Sequence, residues 1–444
     1  MSFEIQQSTQ FKVKELTIVT KAGNVDVIDL YEEINIFDSL LVPVMSGFIL
    51  MRDSVGLSGK LLFDGSESIL IEVLKDENSD IAGFKKAFRI YKQSDRKNDG
   101  QNSESYLLHF VSDELIYSDQ QRITQSFEGT MTDIVQKILT NYLKVSENNL
   151  GGIYEPSSGL RSVTIPNLKP LEAIEWCAKR SVDVNQSPCF MFYQNLLGYN
   201  FATLSTLLTE DELLDIKFEI KNQTKGDPIS EIGSPRAYEI IAQTDMVEKT
   251  RSGVNAGQFV GFDPMTGTIA RKNISFNDHY GEMKHGNDNP NQSAVQNRDG
   301  KDATEAFESK KTVSIFSAAK QFSNYIKKND PTSLSLENNY ENYLFQRKAI
   351  IQNLMAKRIR FAMPGNFQLT SGFNVNVIAP QFGEKEKGDD NDDPSVSGKY
   401  LIIASRQVIK YDKHETIIEV ATTSTNNEFI PSSNPAQTDE ILEY

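Results

Sequence analysis

The sequence is poor in cysteine, in basic charge and in long apolar stretches. Its two cysteines, Cys177 and Cys189, are too few for a disulfide scaffold in a chain of 444 residues. The 46 Lys and Arg residues are outnumbered by 61 Asp and Glu residues, which gives a net charge of −15. A protein that reads nucleic-acid sequence needs a basic face, so this balance argues against one. An acidic wall could still line a passage through which DNA slides without being held.

Targeting and membrane-spanning segments are also missing. The start of the chain lacks the basic and apolar regions of a signal peptide. The longest apolar stretch, residues 40–51, has twelve residues and is interrupted by Pro43, Ser46 and Gly47. A spanning helix needs about 17–25 residues. The sequence therefore predicts a chain that is made and folded in a cytoplasm and is not inserted into a membrane.

Motifs for catalysis and for metal or phosphate binding are absent. The sequence contains no Gly-x4-Gly-Lys-Ser/Thr phosphate loop and no Gly-x-Ser-x-Gly nucleophile turn. Both cysteines lie in apolar patterns typical of buried packing residues. None of the four histidines has the spacing of a zinc ligand: His109, His279, His285 and His414. We therefore expect no enzyme activity, no metal and no cofactor.

Two acidic features leave alternatives open. Glu172 and Glu175 share a predicted helix face, and a carboxylate pair can serve in a glycosidase, although a solvated surface is the favoured interpretation. Residues 389–393 read Asp-Asp-Asn-Asp-Asp, which hints at calcium. They lack the Gly and the final Glu of an EF-hand, so a charged loop is favoured over a cation site.

The hydrophobic pattern predicts an α+β, β-rich protein with two β-rich regions flanking an α+β module. Residues 1–118 follow a period of two and favour strands, with a hairpin loop over residues 94–105. The boundaries predicted are 1–118 for the first β domain, 119–205 for the module, 206–250 with 360–422 for the second β domain, 251–359 for an inserted loop-rich and helical excursion, and 423–444 for a flexible tail.

The module has the clearest local signals. Apolar residues at helical spacing predict a helix over residues 131–143 with Thr130 as its N-cap, and Pro170 suits the first position of a second helix. Two apolar runs, 189–193 and 198–201, predict a hairpin with a polar tip at Gln194 and Asn195. Farther along, the pattern predicts a helix over residues 335–360 and strands over 366–369, 373–378, 400–409 and 416–420.

Five glycines are candidates for structural turn positions: Gly47, Gly65, Gly198, Gly365 and Gly372. Gly365 and Gly372 bound the short strand predicted after residue 365, where turns need backbone freedom. If the two residues hold positive φ, replacing either by Val should disrupt the second β domain.

Four stretches together resemble the baseplate central hub proteins of contractile-tailed bacteriophages, which are related to the hub part of type VI secretion spike proteins. The stretches are residues 43–53 with 64–73, 170–178 with 190–204, 238–241 with 253–261, and 364–377. The last of them resembles a hairpin shared by phage hubs and type VI spikes. The excursion at 277–312 and the acidic loop at 384–393 have no counterpart in this resemblance.

The resemblance implies a structural virion protein rather than an enzyme. It implies two antiparallel tube-type β-barrel domains per subunit and a homotrimer, so that three subunits form a pseudo-sixfold ring. Such a ring would join the sixfold tail tube protein, or a tube-terminal ring, to the threefold central spike. Baseplate wedge proteins would surround it, and the tape-measure protein and DNA would pass through its lumen. The implied location is the tail baseplate of the virion, assembled in the host cytoplasm.

Three other functions stay open. The chain could be a hub or spike component of a related contractile injection system, although it lacks a Gly-rich C-terminal repeat. It could be a tail-associated cell-wall hydrolase, although no catalytic constellation is recognisable. It could be a receptor-binding adhesin, although no fibrous repeat is present.

Overall fold

The structure is a computed structural model of the chain. It describes residues 11–61, 63–74, 82–100, 102–146, 152–185, 187–218, 233–242, 256–263, 268–275, 283–290, 313–317, 340–380, 392–393 and 395–426. Several predicted features lie outside the described residues: most of the polar stretch 277–312, His279, the acidic loop up to residue 391, and the tail from residue 427.

The order of elements follows the predicted division into β-rich, mixed and β-rich parts. The first part contains β1 (Lys12–Thr20), β2 (Gly23–Asp26), β3 (Tyr31–Ser39), β4 (Ser46–Asp53), α1 (Leu57–Lys60), β5 (Ser68–Leu74), β6 (Ala82–Asn98), β7 (Glu104–Val111) and α2 (Asp113–Asp119). The module contains β8 (Ser126–Gly129), α3 (Met131–Asn141), β9 (Arg161–Thr164), α4 (Pro170–Ala178), β10 (Phe190–Asn195), β11 (Gly198–Thr203) and α5 (Leu204–Thr209). The remainder contains β12 (Glu212–Lys217), β13 (Ala237–Ala242), β14 (Ala256–Asp263), β15 (Thr268–Ser275), β16 (Asn289–Pro290), β17 (Val313–Ser317), α6 (Tyr340–Ala356), β18 (Arg358–Pro364), β19 (Asn374–Ile378), β20 (Gly398–Lys410), β21 (His414–Ala421) and β22 (Ser424–Thr425).

One large sheet joins strands from both ends of the chain. Its order among the described strands is β13-β18-β21-β20-β3-β4-β7-β6-β5-β1-β2, with β19 beside β20 and β12 beside β19. The β12–β19 pair is parallel, and the other described pairs of this sheet are antiparallel. The fold is therefore β-rich with a large antiparallel sheet and few helices, as the sequence predicts.

The two β-rich regions meet at the pairing of β3 with β20. The register runs from Ser39 opposite Ala404 to Glu33 opposite Lys410, so seven residues of each strand face one another. The chain thus closes a hydrogen-bonded seam between its beginning and its end.

The buried apolar residues divide into clusters that follow the same division. One cluster lies within the first β-rich region around Ile34, Ile49 and Phe88, and a second lies within the module around Ile138 and Phe201. Another lies within the second β-rich region around Phe361, Val375 and Tyr400. A fourth joins the β10–β11 hairpin and helix α5 to α6 and β20, and it contains Leu207, Leu354 and Leu401.

The module forms as its local signals predict. Thr130 Oγ1 accepts a hydrogen bond from Asp133 N, and the Asp133 carboxylate accepts one from Thr130 N, both at 3.1 Å. This reciprocal cap satisfies two amides that the first turn of α3 would leave unpaired. Pro170 occupies the first turn of α4, where its missing N–H is harmless.

The region after α6 differs from the prediction. The helix ends at Ala356, and residues 358–364 form β18, in which Ile359, Phe361 and Met363 are buried with the period of a strand. Residues 366–369 form a turn rather than a strand, because Asn366 Oδ1 accepts a hydrogen bond from Gln368 N at 2.9 Å. The stretch 364–377 is consequently not a hairpin, since β18 pairs with β21 and β19 pairs with β20.

Two other local expectations also need correction. The apolar stretch 40–51 is not covered throughout: Leu41 and Val42 are exposed, and one face of β4 is half-buried. The loop expected over residues 94–105 is shorter, because β6 continues to Asn98 and pairs there with Glu104.

Candidate functional site

The tip of the β10–β11 hairpin lies between the two β-rich regions. Asn195 pairs with Gly198, so Leu196 and Leu197 form a two-residue turn. Strand β10 is buried along its whole length, and its last residues carry polar side chains into the interior. The name junction is used below for a set of buried polar residues at this place: Asp38, Gln194, Asn195, Thr370, Ser371 and Ser405.

Gln194 attaches the hairpin to the first β-rich region. Its Oε1 accepts a hydrogen bond from Met45 N at 3.0 Å and another from Ser112 Oγ at 2.6 Å. Ser112 N in turn donates to Met45 O at 3.0 Å. One side chain therefore fixes the start of β4 and the end of β7 against the module.

The next residues of the tip attach to the second β-rich region. Asn195 Nδ2 donates to Ser371 O at 2.9 Å, and Leu196 N donates to Thr370 Oγ1 at 3.2 Å. These contacts hold the segment between β18 and β19, which has few internal strand contacts of its own. The hairpin tip thus bridges both β-rich regions through adjacent residues.

Asp38 connects the two β-rich regions directly. Its carboxylate accepts hydrogen bonds from Thr370 Oγ1 at 3.0 Å, Ser371 N at 2.7 Å and Ser405 Oγ at 2.5 Å. Burial raises the pKa of Asp38, and the three hydrogen bonds act in the opposite direction. A buried acceptor that receives three donors orders all of them, because losing it would leave them unpaired in a dry interior.

Gly372 lets the same segment pass close to the hairpin. Its φ of +93° lies in the left-handed region, and a Cβ there would stand 2.0 Å from Tyr193 Oη. Tyr193 is fully buried. Both the backbone conformation and the close approach therefore require glycine at this position.

Gly365 is needed for a different reason than positive φ, which it does not have. A Cβ on Gly365 would lie 2.1 Å from Cγ of His414, whose ring is almost fully buried. His414 Nε2 lies 2.9 Å from Gln407 Oε1, which also accepts from Thr416 Oγ1 at 2.7 Å. Burial lowers the pKa of His414 to about 3, so the ring is neutral and its Nε2–H is the donor.

The remaining candidate glycines have unequal surroundings. A Cβ on Gly47 would lie 2.2 Å from Asn35 O and 2.3 Å from the ring of Phe110. Gly65 has a φ of +89° in open space, and Gly198 has a φ of +137° at the end of the hairpin turn. Of the five glycines, Gly198 and Gly372 lie next to junction residues.

The residues considered for chemistry have structural surroundings. Cys177 and Cys189 are buried, and burial raises the pKa of both thiols, that of Cys177 to about 12, so neither is a thiolate at neutral pH. Glu172 accepts a hydrogen bond from Lys169 N at 3.1 Å, and Glu175 pairs with Lys179 on the surface.

The histidines are likewise separated from one another. His109 Nε2 lies 2.8 Å from Ser94 Oγ, and His285 Nδ1 lies 3.1 Å from Thr423 Oγ1. Within the described ranges, no three His, Cys, Asp or Glu side chains come together as a metal site. No helix in the described part of the chain is long and apolar enough to span a membrane.

Comparisons with known proteins identify the fold. Neither the scan against family models nor the search of curated proteins gives a match. The tail protein from Neisseria meningitidis MC58 superposes with a TM-score of 0.50 at 10% identity, over 93% of this chain and 96% of that one. The chain has a tail-protein fold. The resemblance inferred from the sequence is thereby confirmed for the fold.

Two further solved structures are similar at lower scores. The 43 kDa tail protein of prophage MuSo2 from Shewanella oneidensis has a TM-score of 0.49 at 8% identity, over 91% of this chain and 97% of that one. The E. coli c3393 protein, a type VI secretion component, has a TM-score of 0.39 at 8% identity, over 95% and 79%. Among these three structures, the Neisseria protein is the one that carries the fold assignment.

The sequence indicated the hairpin tip but not its partners. Gln194 and Asn195 stood out as polar residues after an apolar strand. Asp38 carried an overlooked signal, since it lies in phase with the buried residues Ile34 and Ile36 of β3. An acid at an inward strand position predicts a buried polar contact.

Proposed function

We propose that the chain is a structural protein of a phage tail, namely a trimeric baseplate hub that adapts the sixfold tail tube to the threefold central spike. In this proposal it works by geometry and catalyses no reaction. The tail-protein fold supports the general class, and the virion tail is the proposed location.

The junction is the observation that carries the adaptor role. A ring in which each subunit supplies two equivalent positions requires the two β-rich regions of one chain to keep a fixed relative orientation. The seam between β3 and β20, the carboxylate of Asp38 and the hairpin tip each connect these regions. Connections of three kinds at one place resist both sliding and rotation of one region against the other.

The separate apolar clusters support the proposed domains. The first β-rich region and the second each contain a core of their own, although one sheet runs through both. We assign a tube-type barrel to each, with boundaries at 1–118 and at 206–250 with 360–422, around the module at 119–205. Residues 251–359 are the proposed insertion, and residues from 423 are the proposed tail.

The acidic charge suits the proposed channel. A wall of net negative charge repels DNA phosphate and lets DNA pass without binding. The proposed partners are the tail tube protein or a tube-terminal ring, the central spike, the wedge proteins, and a tape-measure protein in the lumen.

The experiment that tests the proposal is the mass of the purified chain by light scattering, alone and mixed with the tube and spike proteins of the same tail. A mass of three times 50.0 kDa, with electron-microscopic rings that bind tube protein on one side and spike on the other, is expected. A monomer in all mixtures would overturn the adaptor role. Clearing of a cell-wall substrate by the isolated chain would instead favour the hydrolase.

A further inference from the structure

Strand β13 is an unprotected edge of the large sheet. Among the described strands it pairs with β18 alone, so one side of its backbone has no described partner strand. Its first four residues, 237–240, are exposed, with Tyr238 at 44% and Ile240 at 43%. Apolar side chains are thus presented together with free backbone donors and acceptors.

Natural sheets usually protect such an edge, and β13 lacks the usual protection. Its sequence, AYEIIA, contains neither proline nor lysine. Its one charged residue, Glu239, lies 3.0 Å from Arg360 of the neighbouring strand β18. An edge of this kind is a template for strand addition by another chain.

An aromatic row leads to this edge. The ring of Phe361 lies 5.4 Å from that of Phe218, and Phe218 lies 4.3 Å from Tyr238. A further strand beside β13 would cover the exposed face of Tyr238 and extend the row. Aromatic and β-branched pairs across strands are among the more stabilising ones.

Strand β2 is the other end of the same sheet. It pairs with β1, and three of its four residues are exposed. The adjoining turn carries Lys21, whose side chain is 75% exposed and complements the exposed carboxylate of Glu239. Its four residues fit alongside the six of β13.

We propose that β13 of one copy pairs antiparallel with β2 of a second copy, so that the sheet continues from subunit to subunit. This inference rests on the trimer proposed above. A contact between two different edges is head-to-tail, and it ends in a closed ring when the rotation per subunit allows. Antiparallel pairing matches nearly every pair already in the sheet. If the strands are centred on each other, Ile240 lies opposite Asn24.

Paired cysteines test the contact directly. Opposed residues of antiparallel strands have Cα atoms about 4.5–5.5 Å apart, which suits a disulfide. The variant Ile240→Cys with Asn24→Cys, oxidised mildly, should give covalent species that stop at the trimer on a non-reducing gel. A second pair, Ile240→Cys with Val25→Cys, covers the neighbouring register. The unaltered chain is the control, because its two cysteines are buried.

The outcomes separate this inference from the proposed function. A trimer by light scattering without a bond in either paired variant would overturn the β13–β2 contact and leave the hub intact. Covalent dimers from Ile240→Cys alone would show pairing of β13 with itself and overturn it as well. A monomer by light scattering would overturn both.

A charge variant gives an independent measure. Ile240→Lys should raise the concentration at which half the trimer dissociates by about tenfold or more, whereas Ile240→Val should change it little. Equal dissociation of the two variants, each with an unchanged melting temperature, would contradict the contact.

Discussion

Ser371 N donates a hydrogen bond of 2.7 Å to Asp38 Oδ1, although 333 residues separate the two in the chain. The contact joins the end of β3 to the loop before β19, so it connects the two β-rich regions directly. Both residues are almost fully buried, and water is therefore excluded as a substitute partner.

Removing the carboxylate of Asp38 should destabilise the chain strongly. Asp38→Ala would leave Ser371 N, Ser405 Oγ and Thr370 Oγ1 without their acceptor, and a buried donor left unpaired costs about 1–3 kcal/mol. We expect a loss of about 3–5 kcal/mol in the free energy of unfolding, measured by urea denaturation. Asp38→Asn, which keeps one acceptor oxygen, should lose less.

The matched control for Asp38 is Asp211→Ala, which alters an exposed aspartate. It should stay within about 0.5 kcal/mol of the unaltered chain. Equal effects of the two alanine variants would mean that Asp38 does not hold the regions together.

Gly372 and Gly65 allow backbone strain to be separated from steric overlap. Both have positive φ, but a Cβ on Gly372 would collide with Tyr193, whereas a Cβ on Gly65 meets nothing within 4 Å. Gly65→Ala should cost about 1–2 kcal/mol from the backbone alone. Gly372→Ala should cost about 1–3 kcal/mol more from the added overlap. Thermal melting of the two variants checks the order, and the reverse order would rule out the close approach to Tyr193.

Gly365 should be coupled to His414. Gly365→Ala places a methyl group against the imidazole without backbone strain, so it should destabilise by about 1–3 kcal/mol. In a His414→Ala background most of that penalty should disappear, because the ring that it meets is gone. A double-mutant cycle measures the coupling, and additive effects would show that Gly365 is required for another reason.

The stability of the chain should fall in acid because of His414. Its folded pKa of about 3 lies below the ordinary value of 6.5, so between these values the unfolded chain takes up a proton that the folded chain does not. Stability is therefore lost as the pH falls, with a slope approaching about 1.4 kcal/mol per pH unit from this group. Asp38 acts in the opposite direction, since a raised pKa favours the folded chain at lower pH.

Denaturation curves at pH values from 7 to 4 measure this slope. The variant His414→Gln keeps a donor near Gln407 and should flatten the curve. His109→Gln, at a half-buried site, should leave it nearly unchanged. An unaltered slope in His414→Gln would assign the acid sensitivity to other groups.

Local signals predicted local structure well. The N-cap at Thr130, the proline at the start of α4 and the hairpin with its polar tip all depend on residues within a few positions of one another. Such features follow from capping, ring geometry and alternation, and a sequence displays these directly.

Long-range pairing could not be predicted in the same way. Alternation shows that β3 and β20 are strands with a buried face, but it does not show which strands become neighbours. The junction depends on that choice, because Asp38 meets Ser371 and Ser405 only when β3 lies beside β20. The helix assigned to residue 359 was wrong for a related reason: Ile359 fits both periods, and its pairing with β21 selects the strand.

The seam between β3 and β20 also has a consequence for synthesis. A ribosome releases β3 long before β20 exists, since more than 350 residues lie between them. During that interval β3 is an open edge, and open edges attract foreign strands. Strand pairing over such a sequence distance is intrinsically slow. The last step in maturation of each subunit is thus the arrival of its own C-terminal strands, and a prematurely terminated product would be a sticky fragment instead of a smaller hub.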